Sequence, residues 1–155
     1  MTVVSPGMRT VVFEGLDGAG KTTLFKAFEE LTEHYYACFD RWPPISCYVY
    51  DKFLHRYQTR YARTFWFSTM TFTMLKEFDL RIVYVDTPPD ICHFRRQDEE
   101  SYTLEDYELQ RTYYVEAVGY YERMGIPVLS LSGSQGHPKI LAHIVNNWLE
   151  ESKND

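Results

Sequence analysis

Residues 15–22 read Gly-Leu-Asp-Gly-Ala-Gly-Lys-Thr, and this Gly-x-x-x-x-Gly-Lys-Thr spacing is that of a phosphate-binding loop. Gly15, Gly18 and Gly20 let a backbone wrap an anion without Cβ clashes. The N–H groups along Asp17, Gly18, Ala19, Gly20, Lys21, Thr22 and Thr23 then face the anion from the loop and from a helix N-terminus. In that geometry Lys21 reaches the β- and γ-phosphates of a nucleoside triphosphate, and Thr22 offers its hydroxyl to Mg²⁺. A glycine turn before an ordinary helix is the bland alternative. The flanks argue against it: the apolar run 10–13 reads as a buried strand, and 22–33 as a helix with Leu24, Phe28 and Leu31 on one face.

Other residues could complete this chemistry. Asp40 and Arg41 stand at the end of a second apolar run, and Asp86 at the end of a third. A carboxylate at a strand end beside a phosphate loop can hold Mg²⁺ or take a proton from an attacking hydroxyl. Asp40 is the first candidate for that role. Asp86 is the second, with capping of the helix opened by Pro88 and Pro89 as its alternative. Arg41 suits an acceptor phosphate or the transferring phosphoryl group, and a surface ion pair is the rival reading. Arg56, Arg60 and Arg63 share one helical face and could clamp the phosphate of an acceptor nucleotide, or simply form a solvated basic face. Arg95 and Arg96 end a short helix before the polar stretch 97–102, where they could close over phosphates as a lid or serve only as favourable helix C-terminal cations.

These residues need a scaffold, and the chain supplies one. Strands are expected at about 10–13, 35–39, 80–85 and 126–131, each a nearly continuous apolar run. Helical patterns lie between them, which predicts an α/β fold with a parallel sheet of about four strands and helices on both faces. Thr103 and Asp106 read as a capping box opening a helix that runs to about Met124 and stops at Gly125. The last helix starts near Pro138 and carries Ile140, Leu141, Ile144, Val145, Trp148 and Leu149 as an apolar stripe. Residues 64–75 combine strand-like alternation with a helical spacing of Phe67, Met70 and Met74. The need for a crossover between parallel strands favours helix.

At 155 residues the chain reads as one domain, with residues 1–8 a lead-in and Met8 a second candidate start. A net charge of −6 disfavours a dedicated nucleic-acid binder without excluding it. Within this acidic whole, residues 52–76 hold Lys52, Arg56, Arg60, Arg63 and Lys76 and no acid, which suits a small anionic ligand. Cys38, Cys47 and Cys92 show no metal spacing and no disulfide framework, which fits a reducing, cytoplasmic setting. No signal peptide or membrane span is visible. Thirteen tyrosines contribute to an aromatic content of 17%, enough for both a core and base-stacking surfaces such as Tyr48, Tyr50, Tyr57 or Phe53.

Taken together, these positions resemble a compact thymidylate kinase-like P-loop kinase. Residues 13–23, Phe-Glu-Gly-Leu-Asp-Gly-Ala-Gly-Lys-Thr-Thr, are very close to that family's FEGxDGxGKTT opening. Asp40-Arg41-Trp42 resembles its Asp-Arg-aromatic strand end, and residues 83–89 resemble its LxLDVPP segment. Arg95 and Arg96 fall where its lid arginines begin. The resemblance spans roughly residues 10–131. It implies that Lys21 and the loop amides hold the donor phosphates of ATP, that Thr22 helps bind Mg²⁺, and that Asp17 lies near the acceptor sugar hydroxyl. It also implies that Asp40 and Arg41 bridge metal and phosphates, and that Arg95 or Arg96 stabilises the moving phosphoryl group. Relatives are often homodimers, for which the aromatic-rich stretch 64–78 is one candidate interface. Only eighteen residues separate Lys21 from Asp40, so a strand–helix unit with the family's Arg-Glu-Pro-Gly-Gly-Thr segment is missing.

The expected activity is ATP- and Mg²⁺-dependent phosphoryl transfer to a deoxynucleoside monophosphate, dTMP or a modified pyrimidine analogue. A deoxynucleoside kinase, or a kinase acting on a hydroxyl in DNA, is the enzyme alternative, with Asp40 as its base. A non-catalytic nucleotide-binding module is the alternative of another class.

Overall fold

In the computed structural model, residues 9–54, 77–97 and 102–151 are described. The elements run β1 (Arg9–Gly15), α1 (Lys21–Thr32), β2 (Ala37–Asp40), α2 (Pro43–Phe53), β3 (Asp79–Val85), α3 (Pro89–Arg96), α4 (Leu104–Arg123), β4 (Val128–Leu131) and α5 (Pro138–Glu151). The four strands form one parallel sheet in the order β2-β1-β3-β4. The expected α/β architecture is therefore present.

The buried apolar residues make the central strands. Val11, Val12 and Phe13 of β1 and Ile82 and Val83 of β3 are fully buried, as strands covered on both faces must be. Alternation along β1 separates those faces. Phe13 packs on Phe25 and Phe28 of α1, at ring-centroid distances of 5.7 and 5.5 Å. Its neighbour Glu14 therefore emerges on the opposite face. Tyr84, paired in register with Glu14, stacks there on Tyr114 of α4. Around the sheet, α1 packs against α5, and α2 and α3 pack against α4.

Helix ends follow local chemistry. The Thr103 hydroxyl accepts the Asp106 N–H at 3.2 Å, and the Asp106 carboxylate accepts the Thr103 N–H at 2.9 Å, completing the expected capping box. Beyond α4, Gly125 takes a left-handed φ of 95°, the usual way to end a helix.

Two strands begin later than their apolar runs. In the β2 region, Glu33 and His34 hold left-handed backbones with φ of 51° and 61°, so Tyr35 and Tyr36 are still part of the turn out of α1. Pairing with β1 starts at Ala37. Before β4, the Ile126 N–H still bonds the Tyr121 carbonyl of α4, and Pro127 has no N–H to give the ladder.

The helix α2 was not legible in the sequence pattern. It opens on Pro43 and Pro44, a favoured first-turn position, and buries Ile45, Tyr48 and Val49. Arg56, Arg60, Arg63, Tyr57 and the expected helix at 64–75 lie outside the described residues, as do the lead-in and residues 98–101. Among the described residues no helix is long and apolar enough to cross a membrane.

Candidate active site

The sheet order places β2 and β3 on opposite sides of β1, so the crevice for a ligand opens at the carboxyl ends of β1 and β3. Residues 15–22 fill that place. Gly18 and Gly20 take left-handed φ values of 83° and 90°, a conformation that side-chain-bearing residues rarely adopt. The Ala19 N–H closes the loop on the Leu16 carbonyl at 3.1 Å. Lys21 opens α1, and Gly20 caps it with no side-chain hydrogen bond, which leaves the first-turn amides directed into the loop.

One carboxylate joins two neighbouring residues of the loop. Lys21 Nζ donates to Asp40 Oδ1, and Thr22 Oγ1 donates to Asp40 Oδ2 at 2.9 Å. Lys21 is buried to 5% exposure, while Asp40 is open enough for solvent to reach it. The Thr22 hydroxyl and the Asp40 carboxylate form a pair of hard oxygen donors beside the phosphate loop. That donor set fits Mg²⁺, which takes one or two protein oxygens and completes its shell with phosphate and water. Among the described residues there is no cluster of three His, Cys, Asp or Glu that could hold a metal without a nucleotide.

Arg41 turns back over the loop. Its φ is 85°, its N–H bonds the Phe13 carbonyl at 2.9 Å, and its Nη2 donates to Asp17 Oδ1 at 2.6 Å. The guanidinium lies 5.7 Å from the centre of the Tyr50 ring, within reach of a cation–π attraction. Arg95 approaches from α3 and donates from Nη1 to the Gly18 carbonyl at 3.0 Å. Arg41, Arg95 and Arg96 line one cavity of about 560 Å³, together with Asp17, Gly18, Gly20, Lys21, Thr22 and Thr23. Gly133, Gly136, Pro138 and Leu141, from the β4–α5 connection and α5, complete its lining. A cavity of this size, lined by three arginines and a lysine together with Leu16, Leu24 and Leu141, suits a nucleotide.

Asp86 has a different setting. Both its oxygens accept from Arg111 of α4, at 2.9 and 2.8 Å. The residue flanking α3 as its N-cap is Pro88, with no side-chain capping bond. Of the proposed stacking residues, Tyr48 bonds Glu116 and Phe53 meets Tyr102 edge-on, while Tyr50 alone of the described three lies beside Arg41.

The site contains groups to which the sequence analysis gave no role. Glu14, inside the Phe-Glu-Gly opening and immediately before the loop, is fully buried and accepts the Trp42 N–H at 2.6 Å. Burial pushes its carboxyl up to about 7, partly opposed by the Trp42 amide, Lys21 and Arg41. The available signal was an acid ending the apolar run Val11-Val12-Phe13. Tyr114 is buried beside Glu14, Tyr50, Arg41 and Asp17, and burial raises its hydroxyl well above the ordinary phenol range. Thr87 binds the loop at Ala19. Arg111 carries no sequence signal, since its partner is 25 residues away.

No protein-family model matches the sequence, and no curated protein sequence matches it. Solved structures do match its fold. The YorR protein from Bacillus subtilis, in complex with phosphorylated GDP, superposes with a TM-score of 0.71 at 15% identity, over 94% of this chain and 98% of that one. Deoxyadenosine kinase from M. mycoides with bound dCTP gives 0.62 at 16% identity, over 93% and 100%. The same kinase with bound dATP gives 0.54 at 16%, over 92% and 100%. The chain thus shares the α/β fold of these nucleotide-bound structures.

Proposed function

We propose that the chain is an ATP- and Mg²⁺-dependent nucleotide kinase whose acceptor is a deoxynucleoside monophosphate, dTMP or a modified pyrimidine analogue. The observation that carries this reading is the Asp40 carboxylate bridging Lys21 and Thr22 at the mouth of a nucleotide-sized cavity lined by Arg41, Arg95 and Arg96. Lys21 and the loop amides hold the donor phosphates. Thr22 and Asp40 hold Mg²⁺, which when bound neutralises charge on the phosphate oxygens. An oxygen of the acceptor phosphate attacks the γ-phosphorus in line, and the bond to the leaving ADP oxygen breaks.

That acceptor oxygen is already ionised, so positioning and charge carry the catalysis. Arg41 grips an acceptor phosphate from the Asp17 side, and Arg95 or Arg96 leaves the loop to meet the moving phosphoryl group. Arg56, Arg60 and Arg63 are proposed as a further clamp on the acceptor, and Asp17 as a contact to its sugar hydroxyl. A cytoplasmic enzyme, as a monomer or a homodimer, fits this chemistry.

A second reading, a deoxynucleoside kinase, draws support from the deoxyadenosine kinase among the structures of like fold. Its hydroxyl acceptor needs a base. Asp40 already accepts from Lys21 and Thr22 with its two oxygens, an arrangement better suited to holding a metal ion beside Thr22 than to taking a proton. ADP release from ATP–Mg²⁺ should be measured against dTMP, dUMP, dCMP, dGMP, dAMP, thymidine, deoxyadenosine and single- and double-stranded DNA. Turnover with one monophosphate, lost in Lys21→Ala, is the expected result. Turnover with nucleosides or DNA alone would replace it by the second reading or by its DNA form, and ATP binding with no turnover would leave a binding module.

A further inference from the structure

Asp40, Arg41 and Trp42 form a corner whose backbone is pinned twice by β1. The Arg41 N–H bonds the Phe13 carbonyl at 2.9 Å, and the next N–H, of Trp42, bonds Glu14 Oε1 at 2.6 Å. Between these two anchors Arg41 holds a φ of 85°, uncommon for a residue with a side chain. Such a backbone persists only where its surroundings over-determine it. The first anchor is ordinary strand continuation. The second is a side-chain bond made by an ionisable group in a fully buried position, where a carboxylate is costly to place. Its other oxygen, Oε2, has no hydrogen-bond partner among the described residues.

We propose that Glu14 is the positioning residue for Arg41: by reaching the Trp42 amide it fixes the corner that carries the Arg41 guanidinium onto Asp17 and into the cavity. The length of the side chain matters here more than its charge. A side chain that still reaches Trp42 preserves the corner without a charge. One that is a methylene shorter loses the corner with the charge intact. The kinetic part of the test rests on the kinase reading; the geometric part does not.

The test uses Glu14→Gln and Glu14→Asp in the full chain, the first keeping the reach to the Trp42 amide and the second shortening it by a methylene, with circular dichroism confirming that each variant folds. The Arg41 side-chain Nε–Hε and Trp42 backbone amide resonances are followed by ¹⁵N NMR, and acceptor kcat/KM is measured in the same variants and in Arg41→Ala. In Glu14→Asp both resonances move, and kcat/KM falls on the order of 10- to 10²-fold. Adding Glu14→Asp to Arg41→Ala costs nothing further, as expected for a residue that acts only through Arg41. Glu14→Gln keeps both resonances near their original positions. An unmoved Arg41 resonance in Glu14→Asp, losses that multiply in the double variant, or a Glu14→Gln spectrum like that of Glu14→Asp would each overturn the proposal. If the unaltered protein turns over no acceptor, the kinase reading falls, and the resonances alone decide the role of Glu14.

Discussion

The Thr87 hydroxyl donates to the carbonyl of Ala19 at 2.6 Å, and both residues are fully buried. The same oxygen accepts the Gly133 N–H at 2.8 Å. One side chain just past β3 therefore ties the phosphate loop to the β4–α5 connection, so these two parts of the cavity lining are held as a unit. Gly133 can come this close because it lacks a Cβ, which would stand 2.0 Å from the Ala19 carbonyl oxygen. Thr87→Val keeps the shape and removes both bonds, leaving a buried carbonyl and a part-buried amide unpaired. A loss of about 1–3 kcal/mol per orphaned group is expected. Urea unfolding should show this loss and ATP titration a weaker affinity, while Thr87→Ser should retain both.

Asp40→Asn tests the carboxylate that Lys21 and Thr22 share. The carboxamide keeps the volume and one acceptor but removes the charge beside a buried ammonium. Turnover should fall on the order of 10²-fold or more, and the Mg²⁺ concentration for half-maximal rate should rise. A Mg²⁺ titration of the initial rate reads both. An unchanged Mg²⁺ requirement would remove Asp40 from the metal site.

Glu14 gives stability a pH dependence of predictable sign. Its folded carboxyl titrates near 7, above the ordinary 4.5, because burial disfavours the charge. The folded state therefore binds more protons than the unfolded one between those values, and stability falls as pH rises from about 4.5 to about 7. The full span is on the order of 3 kcal/mol. The difference between the unaltered protein and Glu14→Gln, taken by denaturant unfolding at pH 5 and pH 8, isolates this contribution. A difference that does not change with pH would mean that Glu14 titrates normally.

Local chemistry was legible in the sequence, and long-range pairing was not. The phosphate loop, the Thr103–Asp106 capping box and the start of α5 at Pro138 depend on residues a few positions apart, so their spacing determines them. The central strands were legible because burial on both faces demands continuous apolar runs. The partners of Asp40 and Arg41 depend on β2 lying beside β1, which apolar runs do not specify. The pairing of Asp86 with Arg111 needs α4 packed on β3, and a sequence window contains no trace of it. Helix α2 leaves no clear sequence signal because its two opening prolines also mark a break in the chain, and only burial of Ile45 and Val49 shows the turn continuing as helix.

Asp86 is the remaining carboxylate at a strand end, and its role separates from that of Asp40 by experiment. Arg111 takes both of its oxygens in a bidentate pair, which braces α4 against the end of β3. The Arg111 side chain is 41% exposed, so solvent screens the pair and its contribution to stability is no more than about 1 kcal/mol. Asp86→Asn should therefore unfold slightly more easily and need the same Mg²⁺ for half-maximal rate, within about twofold, as a brace without metal contact requires. A shift in Mg²⁺ requirement like that of Asp40→Asn would instead mean that nucleotide binding releases Asp86 from Arg111 and recruits it to the metal. Arg111→Met distinguishes the cases further. If the pair is a brace, Arg111→Met and Asp86→Asn should be equally mild and no worse combined, since each already removes the same interaction.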